Sequence, residues 1–335
     1  METTGVLSAR RQLSTSADDT RSSYAHYFSA DRERLSGFIT LTKPRVMLLA
    51  VFTALVAMMI APGQVDPMRA SVALLAIIAG AGAAGALNMW YDADIDRVMI
   101  RTARRPIPRG VVSRMEALIF GLVLAAAAVA LLAVAANLMA AGLLAFAIFF
   151  YVAVYSIWLK RRTPLNIVIG GAAGAFPPMI GWASATGSIG VESAILFLII
   201  FLWTPPHFWA LALNRSDEYS RAGVPMLPVV AGRTATTRQI LIYSVLLTPV
   251  SLLPWVLGFA GPIYGTTAAT CGTIFVLLAL RLRKSGPSDR QAASRLFAFS
   301  ILYLFALFAG LFIDKTGGPW LSLLALHATS TLRPG

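Results

Sequence analysis

Only 15 of the 335 residues are acidic, and five of those gather in two short stretches. One reads Asn88-Met-Trp-Tyr-Asp92-Ala-Asp94-Ile-Asp96-Arg97, and the other is the adjacent pair Asp217 and Glu218. On a helix, positions four apart drift by only about 40° and rise about 6 Å. Asn88, Asp92 and Asp96 therefore share one face, while Asp94 points about 200° away from Asp92. Two carboxylates and an amide stacked in this way repel one another unless a cation lies between them. Mg2+ suits the arrangement, because it prefers carboxylate oxygen, keeps several waters and commonly shares its site with substrate phosphate. The plainer alternative is a solvated helix end whose acids pair with Arg97, Arg101, Arg104 and Arg105. Against it stands Asn88, which begins the stripe inside an apolar run, where a polar group is costly and usually functional. The arginines that follow can hold phosphate oxygens. The plainer reading is that these arginines only set the orientation in the membrane; Arg101 and Arg105 are the expected anion ligands, with Arg97 and Arg109 as bystanders.

The elements that must position these residues are membrane helices. Apolar residues make up 57% of the chain and charged residues 13%, about half the share usual in a soluble domain. The mean hydropathy is +0.72. Nine apolar stretches are long enough to cross the hydrocarbon core, at roughly 46–62, 69–90, 115–136, 138–159, 165–185, 193–213, 238–258, 262–281 and 295–313. They lack the alternation of an outer-membrane barrel. The fold class expected is an all-α membrane bundle of nine transmembrane helices. Loops with basic residues alternate with loops without them, and 25 of the 28 Lys and Arg fall on one side. The positive-inside rule then puts the N-terminus in the cytoplasm and the C-terminus outside, and a bacterial inner membrane is the setting expected. Both acidic groups fall on the cytoplasmic side.

The net charge of +13 suggests nucleic acid, but the basic residues sit in loops between apolar runs, so the partner is membrane lipid and no nucleic acid is expected. A single cysteine, Cys271, excludes an internal disulfide framework and a Cys-based metal site. Residues 1–40, rich in Ser, Arg and Asp, read as a disordered cytoplasmic tail rather than a transit peptide, which would be poor in acids. Residues 41–315 form the transmembrane domain and 316–335 a short external segment, with 319–328 able to lie at the interface. A transporter is the rival of a different class, since helices broken by Pro and Gly also line substrate paths. No inverted repeat is visible in the sequence, and both acidic groups lie on one side.

His207 follows Pro205-Pro206 in the sixth span, about 10 Å short of Asn214 along a helix. Either it bonds a carbonyl that the prolines free or packs across the bundle, or it faces a substrate.

The spacing Asn88-xxx-Asp92-xxx-Asp96 resembles the first aspartate-rich motif of the UbiA superfamily of intramembrane prenyltransferases. The strings NMWYDADIDRVMIRTARRPIPRG, LTKPRVMLL at 41–49, PLNIVIGGAAGAFPPMIGWA at 164–183, TPPHFWALAL at 204–213 and DEYSRAGVPMLPVVAG at 217–232 resemble its haem-farnesylating branch. The resemblance runs over roughly residues 37–313 and implies nine helices around a membrane cavity, with the active site under a cytoplasmic cap. It implies farnesyl diphosphate and haem b as substrates, with Mg2+ held by Asn88, Asp92, Asp96, Asp217 and Glu218. Lys43, Arg101, Arg105 and Arg215 would hold diphosphate, and His207 would contact haem. A haem A synthase or oxidase assembly factors would be the partners that receive the product. Quinone-forming relatives carry two aspartates four apart in a second motif; here only the adjacent pair Asp217 and Glu218 is present and residue 221 is Arg. A quinone precursor or chlorophyllide is the alternative acceptor.

Overall fold

A computed structural model describes residues 31–63, 65–286 and 289–331. Among these the regular structure is entirely helical. The helices are α1 (Asp31–Leu41), α2 (Pro44–Ile60), α3 (Pro67–Tyr91), α4 (Ala93–Val98), α5 (Arg114–Ala135), α6 (Leu138–Phe149), α7 (Asn166–Thr186), α8 (Val191–Leu213), α9 (Ser216–Arg221), α10 (Leu227–Val230), α11 (Gly232–Val256), α12 (Pro262–Lys284) and α13 (Arg290–Thr331). Eight are long and apolar enough to cross a membrane, α6 being counted with its extension to Leu159 and α13 as Arg290–Gly317. A ninth span is available if α1 and α2, bent by 43° at their junction, are taken as one. The chain is thus a multi-pass helical bundle, and each of the nine apolar stretches lies on one of these helices.

Local chemistry explains where the spans begin. Pro44, Pro67 and Pro262 occupy the first turn of their helices, where a missing N–H costs nothing. Asp66 accepts from the Arg69 amide at 2.9 Å, and Ser113 with Glu116 closes a reciprocal capping box on α5. Asn137 caps α6 through the Ala140 amide at 2.9 Å. From Phe150 to Leu159 the helix continues as a π-helix, a wider winding that tends to mark functional positions.

Two boundaries differ from the sequence expectation. Residues 1–30 of the expected tail lie outside the described residues, but 31–40 are helical rather than disordered. The helix holds because Leu41 is wholly buried, Phe38 packs beside it, and Arg34 and Glu33 pair with Glu116 and Arg109. At the other end, 319–328 continues α13 instead of forming a separate interfacial piece.

The helices pack into three apolar clusters, of which the two largest share α2 and α7. One joins α2, α7, α8, α11, α12 and α13, and the other α2, α3, α5, α6 and α7. The approach of α2 to α7 depends on Gly181, where a Cβ would fall on the Ala54 carbonyl. Gly85 likewise lets α3 pass against the backbone of Leu41 and Thr42, which brings the α1–α2 bend beside Asn88. α5 is the most apolar span and is largely unburied, as a lipid-facing helix should be.

Candidate active site

The stripe read from the sequence exists. α3 ends at Tyr91 and α4 starts at Ala93, yet the backbone bonds Asp92 N to Asn88 O (2.9 Å) and Asp96 N to Asp92 O (2.8 Å) carry the helical register across the break. Asn88, Asp92 and Asp96 are buried, and Asp94 is exposed. Asn88 Nδ2 donates to Asp92 Oδ2 at 2.7 Å.

Each buried acid has a cation from another part of the chain. Arg105 NH1 reaches both oxygens of Asp96 at 2.9 and 2.8 Å. Lys160 donates to Asp92. Lys43 Nζ lies 2.5 Å from Asn88 Oδ1. Lys43 is also the only non-glycine residue with positive φ among those described (φ 52°, ψ 50°), a conformation an L residue enters only at a cost. Such strain, on the order of 1–3 kcal/mol, tends to be kept where a side chain must be aimed.

Lys160, Ser156 and Arg161 were not anticipated as site residues. Ser156 accepts from Asn88 Nδ2 at 2.9 Å, and Arg161 makes two bonds of 2.7 Å to Asp94. Those bonds hold the Asp94 carboxyl down to about 2, while Asp94 raises Arg161 in turn. Of the two arginines set aside as bystanders, Arg97 is exposed and Arg109 pairs with Glu33.

The second acidic stretch opens α9. Arg215 reaches Glu218 at 3.3 Å, whereas Asp217 is exposed and only its carbonyl is bonded, by Arg221. Tyr219 is buried between Arg101 and Arg215; burial pushes its phenol up and the two guanidiniums oppose that. Tyr155, on the π-helix, lies within electrostatic reach of Asp92, Tyr219 and Arg101. The two acidic stretches therefore border a common region, with Arg101 between them.

The donor set fits a hard divalent cation that completes its shell with water and phosphate. Asp92 Oδ1 and Glu218 Oε2 are buried carboxylate oxygens with no hydrogen-bond partner, Arg161 being 4.0 Å from Asp92 Oδ1 and so out of bonding range. Among the described residues no three His, Cys, Asp or Glu side chains converge into an all-protein cage. That absence is compatible with Mg2+, which typically takes one or two carboxylates and fills the rest of its shell from solvent and substrate.

His207 sits below this layer in α8, after Pro205 and Pro206. Its Nδ1 lies 2.6 Å from Ser300 Oγ on α13, so it packs across the bundle and does not answer a carbonyl freed by the prolines. Trp203 and Phe297 stack on its ring.

Known proteins share this architecture. A structure of a UbiA homologue from Archaeoglobus fulgidus bound to DMAPP and Mg2+ superposes with a TM-score of 0.61 at 17% identity, over 81% of this chain and 99% of that one. A structure from work on digeranylgeranylglyceryl phosphate synthase gives a TM-score of 0.71 at 20% identity, over 84% and 99%. At those identities the likeness concerns the fold. Closer in sequence, a protein of Parvibaculum lavamentivorans named protoheme IX farnesyltransferase is 59% identical over 84% of this chain and 89% of its own length. One of the same name from Rhodopseudomonas palustris is 56% identical over 87% and 94%. Residues 50–302 match the description UbiA prenyltransferase family. With the buried Asn-Asp-Asp stripe, its ring of cations and the helical bundle that carries them, the chain belongs to the UbiA prenyltransferase family.

Proposed function

We propose that this protein transfers the farnesyl group of farnesyl diphosphate to a vinyl group of haem b, with addition of water and release of diphosphate. The observation that carries the reading is the close relationship, along most of the chain, to proteins named for that reaction. The site chemistry agrees with it. Ionisation of an allylic diphosphate puts developing negative charge on the leaving group, and fixed positive charge aimed there lowers the barrier. Lys43, Arg101, Arg105, Arg215 and Lys160 surround the acids and can turn to diphosphate oxygens.

Asn88, Asp92, Asp96 and Glu218 would hold Mg2+, with Asp217 at the exposed rim, and the ion would neutralise diphosphate charge. With Asp92 and Asp96 holding the metal, their present partners Lys160 and Arg105 would be available to phosphate oxygens. The farnesyl chain and the porphyrin face need the apolar interior beneath, which also limits water at the allylic cation. His207, stacked among aromatic rings in that interior, is assigned to the haem side. We place the protein in a bacterial inner membrane with the acidic stretches facing the cytoplasm; the distribution of basic residues supports that orientation.

The test is incubation of the purified protein with haem b, farnesyl diphosphate and Mg2+, followed by mass analysis of the haem. A haem heavier by one farnesyl unit and one water is the expected product. Prenylation of a quinone precursor with haem b left untouched would overturn the assignment.

A further inference from the structure

The protonation state of His207 can be read from its neighbours. Ser300 Oγ lies 2.6 Å from His207 Nδ1 and 2.6 Å from the Phe297 carbonyl oxygen. A serine hydroxyl has one proton. Two oxygens this close repel unless that proton lies between them, so it is given to Phe297 and Oγ accepts from His207. Nδ1 therefore carries the hydrogen, and in a neutral imidazole the lone pair is then on Nε2. No hydrogen bond to Nε2 is formed among the described residues. The arrangement is held from several sides. Trp203 stacks on the ring at 4.2 Å and Phe297 at 4.7 Å, Phe208 meets its edge at 5.4 Å, and Trp203 Nε1 donates to the Ser300 carbonyl at 2.7 Å.

A histidine kept only for packing has no need of a fixed tautomer with its free lone pair unpartnered. We propose that Ser300 is a positioning residue that fixes His207 in the Nδ1–H form, so that Nε2 binds the iron of the acceptor haem as an axial ligand. The inference rests on haem b being the substrate. Neutral imidazole is the commonest protein metal ligand, and a hydrogen bond at the far nitrogen orients the ring and raises its basicity. An axial bond would fix the height and lateral position of the porphyrin beneath the diphosphate site.

The test compares haem b with iron-free protoporphyrin IX on the full-length protein in detergent, for wild type, His207→Ala, Ser300→Ala and Ser300→Thr. Wild type with haem should show an imidazole-ligated spectrum that His207→Ala loses and added imidazole restores. Ser300→Ala should weaken haem binding by about tenfold, the lower end of the effect of removing an outer-shell partner. It should also lower the iron–imidazole stretching frequency, and Ser300→Thr should retain both properties. Binding of iron-free protoporphyrin should be unchanged in every variant. An unchanged haem spectrum in His207→Ala, or equal losses for haem and the iron-free porphyrin, overturns the ligation. If wild type still farnesylates haem in that case, the proposed function stands; if wild type neither binds nor modifies haem, both fall.

Discussion

Lys160 offers the sharpest test of the site's electrostatics. Its side chain is 16% exposed and that of its partner Asp92 is 1% exposed. In Lys160→Met, Asp92 keeps the 2.7 Å bond from Asn88 and an Arg161 guanidinium 4.0 Å away, while Oδ1 remains without a partner. Breaking a buried pair from one side typically costs 3–5 kcal/mol, because the remaining charge cannot rehydrate. Access of water through the Lys160 position reduces this to roughly 2–4 kcal/mol. Asp92→Asn should cost less, about 1–2 kcal/mol, since the stranded group is then a partly exposed ammonium and the amide keeps the shape of the carboxyl. The double variant strands no charge and should resemble Asp92→Asn alone, giving a coupling equal to the Lys160→Met cost, roughly 2–4 kcal/mol. The assay is thermal unfolding of the full chain in detergent, with and without Mg2+ and diphosphate. Mg2+ should restore more stability to Lys160→Met than to the double variant, because only the former presents an uncompensated carboxylate. Additive effects, or a Lys160→Met protein at least as stable as Asp92→Asn, would refute the reasoning.

Product formation should fall by about 100-fold or more in Asp92→Asn and Asp96→Asn, the scale of losing one electrostatic contribution to a transition state. Asp94→Asn should stay close to wild type, as mass analysis of haem turnover will show. Because Arg161 holds the Asp94 carboxyl at about 2 against an ordinary 3.8, its contribution to stability is complete above pH 3.8 and lost as pH falls through about 2. Asp94→Asn should flatten only that acid limb of the unfolding curve. Gly181→Val should lower thermal stability by about 1–3 kcal/mol or more, because α2 must move off α7; a neutral result would show that the helices can separate freely. A reporter active only outside the cytoplasmic membrane should work when fused after Gly335 and fail after Lys160, and equal activity at both points would break the nine-span topology.

The spans were legible because length and hydropathy alone decide what crosses a membrane, and Asn88, Asp92 and Asp96 because a spacing of four survives even the break at Asp92. α1 was not, since it opens on four consecutive charged residues, Asp31 to Arg34; what makes it a helix is burial of Leu41, packing of Phe38 and ion pairs to residues more than 70 positions away. Lys160 shows a deeper difficulty. It stands in Lys-Arg-Arg at a helix end, where the positive-inside rule already explains a basic residue. A diphosphate site at the cytoplasmic surface needs cations in the same place. Topology and chemistry thus draw on one set of residues, and composition cannot apportion them. The local signal that could have separated Lys160 from Arg162 is Ser156, four positions earlier: a hydroxyl and an ammonium on one face at the end of an apolar run, matching Asn88 on α3 and Asp92 just past its end. The π-helical winding from Phe150 to Leu159 blurs that spacing, because side chains there no longer recur every 3.6 residues. Ser300 and His207, 93 residues apart, leave no local trace, since a serine in an apolar helix is commonly satisfied by its own backbone, as Ser300 is by Phe297. Only the packing of α8 on α13 turns the two into a device with a defined tautomer.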